Sequence, residues 1–162
     1  MPKLNYAVYL RTEGVRRVRL GIDGREFQSA GATGIGRYLR AFIEWTAANR
    51  TDVLQTIFLN HRCRFAPPPR VETAVIREGF TPAWDQLLLP AELRRRRIDV
   101  FLSPYMKMPM AAPCPVLLIV NDLIPIRLPA ESSGSTPLKN AYFRLAAAAA
   151  VRRAAKLIAI SE

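Results

Sequence analysis

Apolar residues occur along this chain in short runs of two kinds, and the two kinds alternate. The first kind is unbroken and rich in β-branched residues. Val116-Leu117-Leu118-Ile119-Val120 is the clearest example, and it predicts a strand covered on both faces, as inside a parallel sheet. Val18 to Asp23, Val53 to Leu59, Val71 to Ile76, Ile98 to Leu102 and Leu157 to Ile160 are further strand candidates. The second kind recurs at helical spacing. Thr33 can cap a helix whose apolar face is Ile35, Tyr38, Leu39, Phe42 and Ile43. Thr81-Pro82 opens a short helix with Trp84, Leu87 and Leu88 inward, continued from Pro90 into the run Arg94 to Arg97. Ser135-Thr136-Pro137 opens a helix through Leu138, Ala141, Tyr142, Leu145 and Ala149. Arg152, Arg153 and Lys156 stand at its end, where cations suit the helix dipole.

Strands alternating with helices predict an α/β chain with a doubly wound, mainly parallel, Rossmann-like sheet over residues 18–162. Residues 1–17 show no sustained period and are expected to form a loose amino-terminal extension. The last strand has no helix after it, so the domain is expected to be cut short or to await a partner.

Charge changes this picture more than composition does. Half of the 162 residues are hydrophobic, as in a globular chain, but the formal net charge is +11. Arginine supplies most of it, since lysine occurs only at Lys3, Lys107, Lys139 and Lys156. Such a balance favours anionic partners: a diphosphate-bearing ligand, anionic lipid headgroups or an acidic protein surface. It equally suits a composition that simply keeps the protein in solution. Nucleic acid is not expected, because no reader motif accompanies the charge. No apolar run approaches the roughly 20 residues needed to span a bilayer, and the start lacks the pattern of a secretory signal. A cytoplasmic location is therefore expected, with Cys63 and Cys114 as free thiols.

Three constellations could carry chemistry. Gly31, Gly34 and Gly36 precede and open the first helix, where backbone amides and the dipole favour a phosphate. Their spacing fits neither dinucleotide fingerprint, and no Tyr-x-x-x-Lys pair follows, so a nicotinamide enzyme is not expected. A plain turn before a helix is the competing reading. Asn121-Asp122 ends the Val116 run and offers an amide and a carboxylate for sugar hydroxyls, or a turn cap instead. Ser103-Pro104-Tyr105 ends the neighbouring strand and could share the same rim. His61 is the only histidine, so no metal site is expected, and no serine lies in a nucleophile elbow.

Several segments, taken in order, carry a resemblance. They are Leu20-Gly21-Ile22-Asp23-Gly24-Arg25, Thr33-Gly34-Ile35-Gly36-Arg37-Tyr38, Asp99 to Tyr105, Asn121-Asp122-Leu123-Ile124-Pro125 and Ile158 to Glu162. Together they resemble the amino-terminal half of family-four retaining glycosyltransferases, which have the GT-B fold; Trp84 with Leu87-Leu88-Leu89-Pro90 fits the same pattern. The resemblance implies the acceptor-side half of an enzyme that transfers sugar from a nucleotide-sugar donor to a saccharide or lipid-linked acceptor, as in polysaccharide biosynthesis. It assigns the donor diphosphate to Gly34, Gly36 and Arg37, the acceptor to Tyr105 and Ser103, and the catalytic rim to Asp122 and Asn121. Where that family often carries a histidine, this chain has Asn121. Neither metal nor cofactor is implied, the nucleotide-sugar being a substrate. Its pocket belongs to a carboxy-terminal domain, so the isolated chain is expected to be inactive without one supplied in trans or by self-association. Apart from the resemblance, the arginine run Arg94 to Arg97 makes peripheral contact with the inner, anionic face of a membrane a further expected partner, a solvated helix end being the competing reading. The alternative is a non-catalytic truncated remnant, or a basic module that docks such a surface or a partner protein.

Overall fold

The computed structural model describes residues 17–28, 33–77, 79–120 and 137–159, with 137–143 as backbone alone. Its frame is a sheet of six strands, all parallel: β1 (Val18–Asp23), β2 (Val53–Asn60), β3 (Val71–Ile76), β4 (Val100–Ser103), β5 (Val116–Val120) and β6 (Lys156–Ala159). Spatial order is β3-β2-β1-β4-β5-β6. The chain winds outward from β1 through β2 to β3, then crosses to the other side of β1 for β4. This is a Rossmann-like α/β fold with its topological switch point between β1 and β4. No described helix is long and apolar enough to cross a membrane.

Strand residues alternate between two buried clusters, one on each face. Phe58, Phe101, Val116 and Leu118 belong to one, with Trp84, Leu89, Leu93 and Ala150 from helices. Ile57, Leu102 and Ile119, each next in sequence to one of those strand residues, belong to the other with Ile22, Leu39 and Ile43. Helix α1 (Gly34–Asn49) covers the second face. Its cap is Thr33, whose Oγ1 accepts the Gly36 amide at 2.9 Å. Leu39 and Ile43 are buried as the periodicity requires, whereas Tyr38 lies on the flank, 39 % exposed.

Two elements depart from their sequence pattern. Helix α2 (Thr81–Ala83) is capped at Phe80, so Thr81, expected as the cap, is instead its first residue. A π-helical turn, Trp84–Leu88, then leads into α3 (Leu89–Arg95). Each π bond spans one more residue than an α bond, so the phase of the apolar stripe shifts. Trp84 and Asp85 turn inward, while Leu87 and Leu88, expected in the core, are exposed. In α4 (Pro137–Arg153), Ala147 and Ala150 take the buried positions and Leu145 is 73 % exposed. Small alanines let that helix approach the sheet closely, which a leucine in the contact line would prevent. The expected amino-terminal extension lies outside the described residues, apart from Arg17.

Gly24 follows β1, and the close packing there requires a glycine. A Cβ at this position would stand 2.5 Å from Ile57 Cγ2 and 2.8 Å from Leu59 Cδ2. Gly24→Ala is expected to cost about 1–3 kcal/mol by overpacking, read as a lower urea midpoint with unchanged slope.

Candidate functional site

The carboxyl ends of β1 and β4 flank the switch point, and a cleft of about 380 Å³ opens there. It is lined by Arg25, Gln28, Arg62, Gly79, Thr81, Tyr105 and Lys107. Its floor is a buried charge network. Arg25, in the 3₁₀ turn Arg25–Gln28 after β1, donates from Nε to Asp23 Oδ1 at 3.0 Å and from NH2 to Asp23 Oδ2 at 2.6 Å. The same NH2 reaches Asp85 Oδ1 at 2.7 Å. Lys107 Nζ donates to Asp85 Oδ2 at 3.0 Å. Arg25, Asp23 and Asp85 are all buried, and the guanidinium carbon sits 3.7 Å from the Trp84 ring centroid. Burial opposes the charge on Arg25, but the two carboxylates outweigh it and raise the guanidinium pKa further.

The π turn is what brings this network together. By turning Trp84 and Asp85 inward in succession, it places a ring and a carboxylate on the same guanidinium. Gln86, next along, clamps the loop after β4: its Nε2 donates to Met108 O at 3.2 Å, and its Oε1 accepts from the Met110 amide at 2.9 Å. Lys107 is thereby held over Asp85.

A second group joins the first helix to the cleft. Thr33 Oγ1 donates to Glu26 Oε1, and Tyr105 OH donates to Glu26 Oε2 at 3.0 Å. Glu26 thus bridges the turn that opens α1 and the turn that follows β4. Burial raises the Tyr105 pKa well above its ordinary value; the negative charges of Asp23 and Glu26 and the bond to Glu26 add to this, against a smaller pull from Arg25. Stability from keeping this phenol neutral is present below the unfolded tyrosine value and is lost as pH rises beyond it. In an alkaline ultraviolet titration, one of the five tyrosines is expected to stay protonated until the protein unfolds. Tyr105→Phe is expected to remove that late step.

The residues expected from sequence fall as follows. Tyr105 lines the cleft. Ser103 lies beneath it, 1 % exposed, its hydroxyl directed at Lys107 O at 2.7 Å and Tyr105 O at 3.3 Å, so that it shapes the turn. Gly34 and Gly36 occupy the first turn of α1. The amides of Gly36 and Arg37 bond to Thr33 Oγ1 and Thr33 O, while a Cβ on Gly34 would meet open space. Arg37 is exposed. Glu26 brings this turn and Tyr105 together. Asn121, Asp122 and Gly31 lie outside the described residues. Arg25, Glu26, Asp85 and Lys107 carry the cleft and were not singled out from sequence. Asp23 ends an apolar strand and marks this strand end in the sequence, but the inward Asp85 is hidden by the π turn. Among the described residues, no group of three or more His, Cys, Asp or Glu side chains is placed to hold a metal ion.

No protein-family model matches this chain, and no curated protein matches it. The fold and the cleft therefore define the class: a Rossmann-like α/β domain with a polar switch-point cleft.

Proposed function

We propose that the chain is the acceptor-side domain of a retaining GT-B glycosyltransferase, working with a second domain that holds the nucleotide-sugar. The ordered segments described above and the strand order are consistent with that reading. The observation that carries it is the charge balance of the cleft. Arg25 and Lys107 are matched by Asp23 and Asp85, and Glu26 is held by two hydroxyls. Among the described lining residues, the Arg62 side chain adds a cation with no ion pair. A cleft whose charges are matched apart from Arg62, with hydroxyl-bonding groups beside them, suits a polyhydroxylated ligand, whose hydroxyls both donate and accept. Saccharide recognition follows from that chemistry; sugar transfer is the extension that the ordered segments suggest. Asp122 and Asn121 are proposed to flank the transferred sugar, and Gly34 with Gly36 to approach the donor diphosphate.

Saturation-transfer NMR with a panel of mono- and disaccharides tests the binding half. Transfer to at least one saccharide is expected, weakened in Arg62→Ala and Thr81→Ala. No transfer to any member of the panel would sink the reading. For the catalytic half, co-expression with a nucleotide-sugar domain should give a complex that transfers sugar, and Asp122→Ala should slow it. Wild-type rates in Asp122→Ala would leave that residue a turn cap.

A further inference from the structure

The sheet has a second concavity at its opposite rim, where the strands begin. A groove of about 240 Å³ is lined there by Arg19, Thr56, Arg70, Glu72, Arg96 and Ile98, among others. Arginines from three separate places converge on it: a strand (Arg19), the turn before β3 (Arg70) and the end of α3 (Arg96). Glu72, also in the groove, lies 3.8 Å from Arg96, and Arg94, Arg95 and Arg97 stand beside Arg96 in sequence.

Part of this charge has a local explanation. Cations suit the carboxyl end of α3, and Arg95 and Arg96 pair with Glu92 at 2.7 and 3.1 Å. Arg19 NH1 donates to Arg96 O at 3.0 Å. Arg70 has no such explanation. It belongs to no helix, and among the described residues its side chain makes no ion pair or hydrogen bond. Its backbone is also left-handed, with φ 71°, and the same is true of Arg97, with φ 53°. These are the non-glycine residues with positive φ among those described, Arg70 in the groove and Arg97 next in sequence to Arg96. Glycine adopts that conformation without penalty, whereas an L side chain is strained in it. Two arginines thus occupy positions whose backbone favours glycine, beside a groove already lined by arginine. Their turns account for the conformation: Arg97 follows the carboxyl end of α3, where the Ile98 amide bonds Leu93 O at 3.0 Å, and Arg70 is the third residue of a turn closed by the Val71 amide on Pro68 O at 3.2 Å. What no turn accounts for is the Arg70 guanidinium in the groove, unpartnered among the described residues.

We infer that this groove is an anion site for a phosphate-bearing group, carried by a free phosphorylated molecule or by a lipid headgroup. Planar guanidinium groups match phosphate oxygens in pairs and keep their charge at any working pH. The site lies at the end of the sheet opposite the cleft and does not rest on the glycosyltransferase reading.

Inorganic pyrophosphate is the first probe, titrated calorimetrically at low and high salt. Saturable binding that weakens with salt is expected. Arg70→Gly removes a charge while relieving the backbone, so it should melt no lower than the parent and bind about tenfold more weakly. Arg62→Ala, in the cleft, should leave the affinity unchanged. Absence of binding, undiminished binding in Arg70→Gly, or loss of binding in Arg62→Ala would each overturn the site. Vesicles of phosphatidylglycerol and of phosphatidylcholine then separate the sources. Sedimentation with the anionic vesicles alone, competed by pyrophosphate, supports the groove with a headgroup as occupant. Pyrophosphate binding without sedimentation supports it with a free phosphorylated molecule.

Discussion

Arg25→Met is expected to destabilise the domain by about 3–5 kcal/mol, because it leaves two buried carboxylates without their shared cation. Asp23 and Asp85 are 2 % and 3 % exposed, and Arg25 contacts both. Lys107 still reaches Asp85, at 3.0 Å, but forms no ion pair with Asp23. Urea unfolding should show the loss as a shifted midpoint. Arg25→Lys should rescue only part of it, since an ammonium cannot fork toward Asp23 and also stack on Trp84. The diagnostic variant combines Arg25→Met with Asp23→Asn and Asp85→Asn. Neutralising the stranded carboxylates should recover a large share of the loss, because an isolated buried charge is the costly species. A triple variant no more stable than Arg25→Met would show that packing of the arginine stem, not its charge, holds the cleft floor.

Trp84→Ala should be similarly severe. Trp84 is fully buried in the core beneath α3 and carries the Arg25 guanidinium on its face. Truncating a large buried aromatic costs about 3–5 kcal/mol, or about 6–20 °C in melting temperature for a domain of this size. Trp84→Phe should cost far less. It keeps a ring under the cation, and it removes an indole N–H that is buried without a hydrogen-bond partner. The chain has two tryptophans, and Trp45 is 60 % exposed. The short-wavelength emission of the native protein should therefore disappear in Trp84→Phe, leaving the red-shifted band of Trp45. Retention of the blue component would place Trp84 in a wetter setting than its full burial implies.

Most of the frame was legible along the chain. Unbroken β-branched runs give strands covered on both faces, and β3 and β5 occupy the spans expected from their runs. Thr33 before Gly34 was readable as a cap, and its hydroxyl accepts the Gly36 amide. Local rules suffice in such cases because the deciding contacts lie within a few residues. The helical run from Thr81 was less legible. An assumed period of 3.6 places Leu87 and Leu88 in the core, whereas the π turn exposes them and buries Asp85. Nothing local to those residues marks an extra residue in the turn. Its reward is the contact of Asp85 with Arg25, 60 residues earlier by their numbers.

The candidate site divides along the same line. By itself, the sequence determined that polar residues follow apolar strands at Asp23 and Ser103, and that a glycine-bearing turn opens the first helix. It determined the excess of arginine too. Only the tertiary structure decided that β1 and β4 are neighbours across the switch point, which sets Arg25, Asp85, Lys107 and Tyr105 around one cleft. It alone decided that Arg19, Arg70 and Arg96, scattered through the chain, share one groove at the other rim. The reason is physical. Apolar burial is periodic and registers in the order of residues, whereas ion pairs and cleft linings join residues by position in space, which strand order sets and no local pattern records.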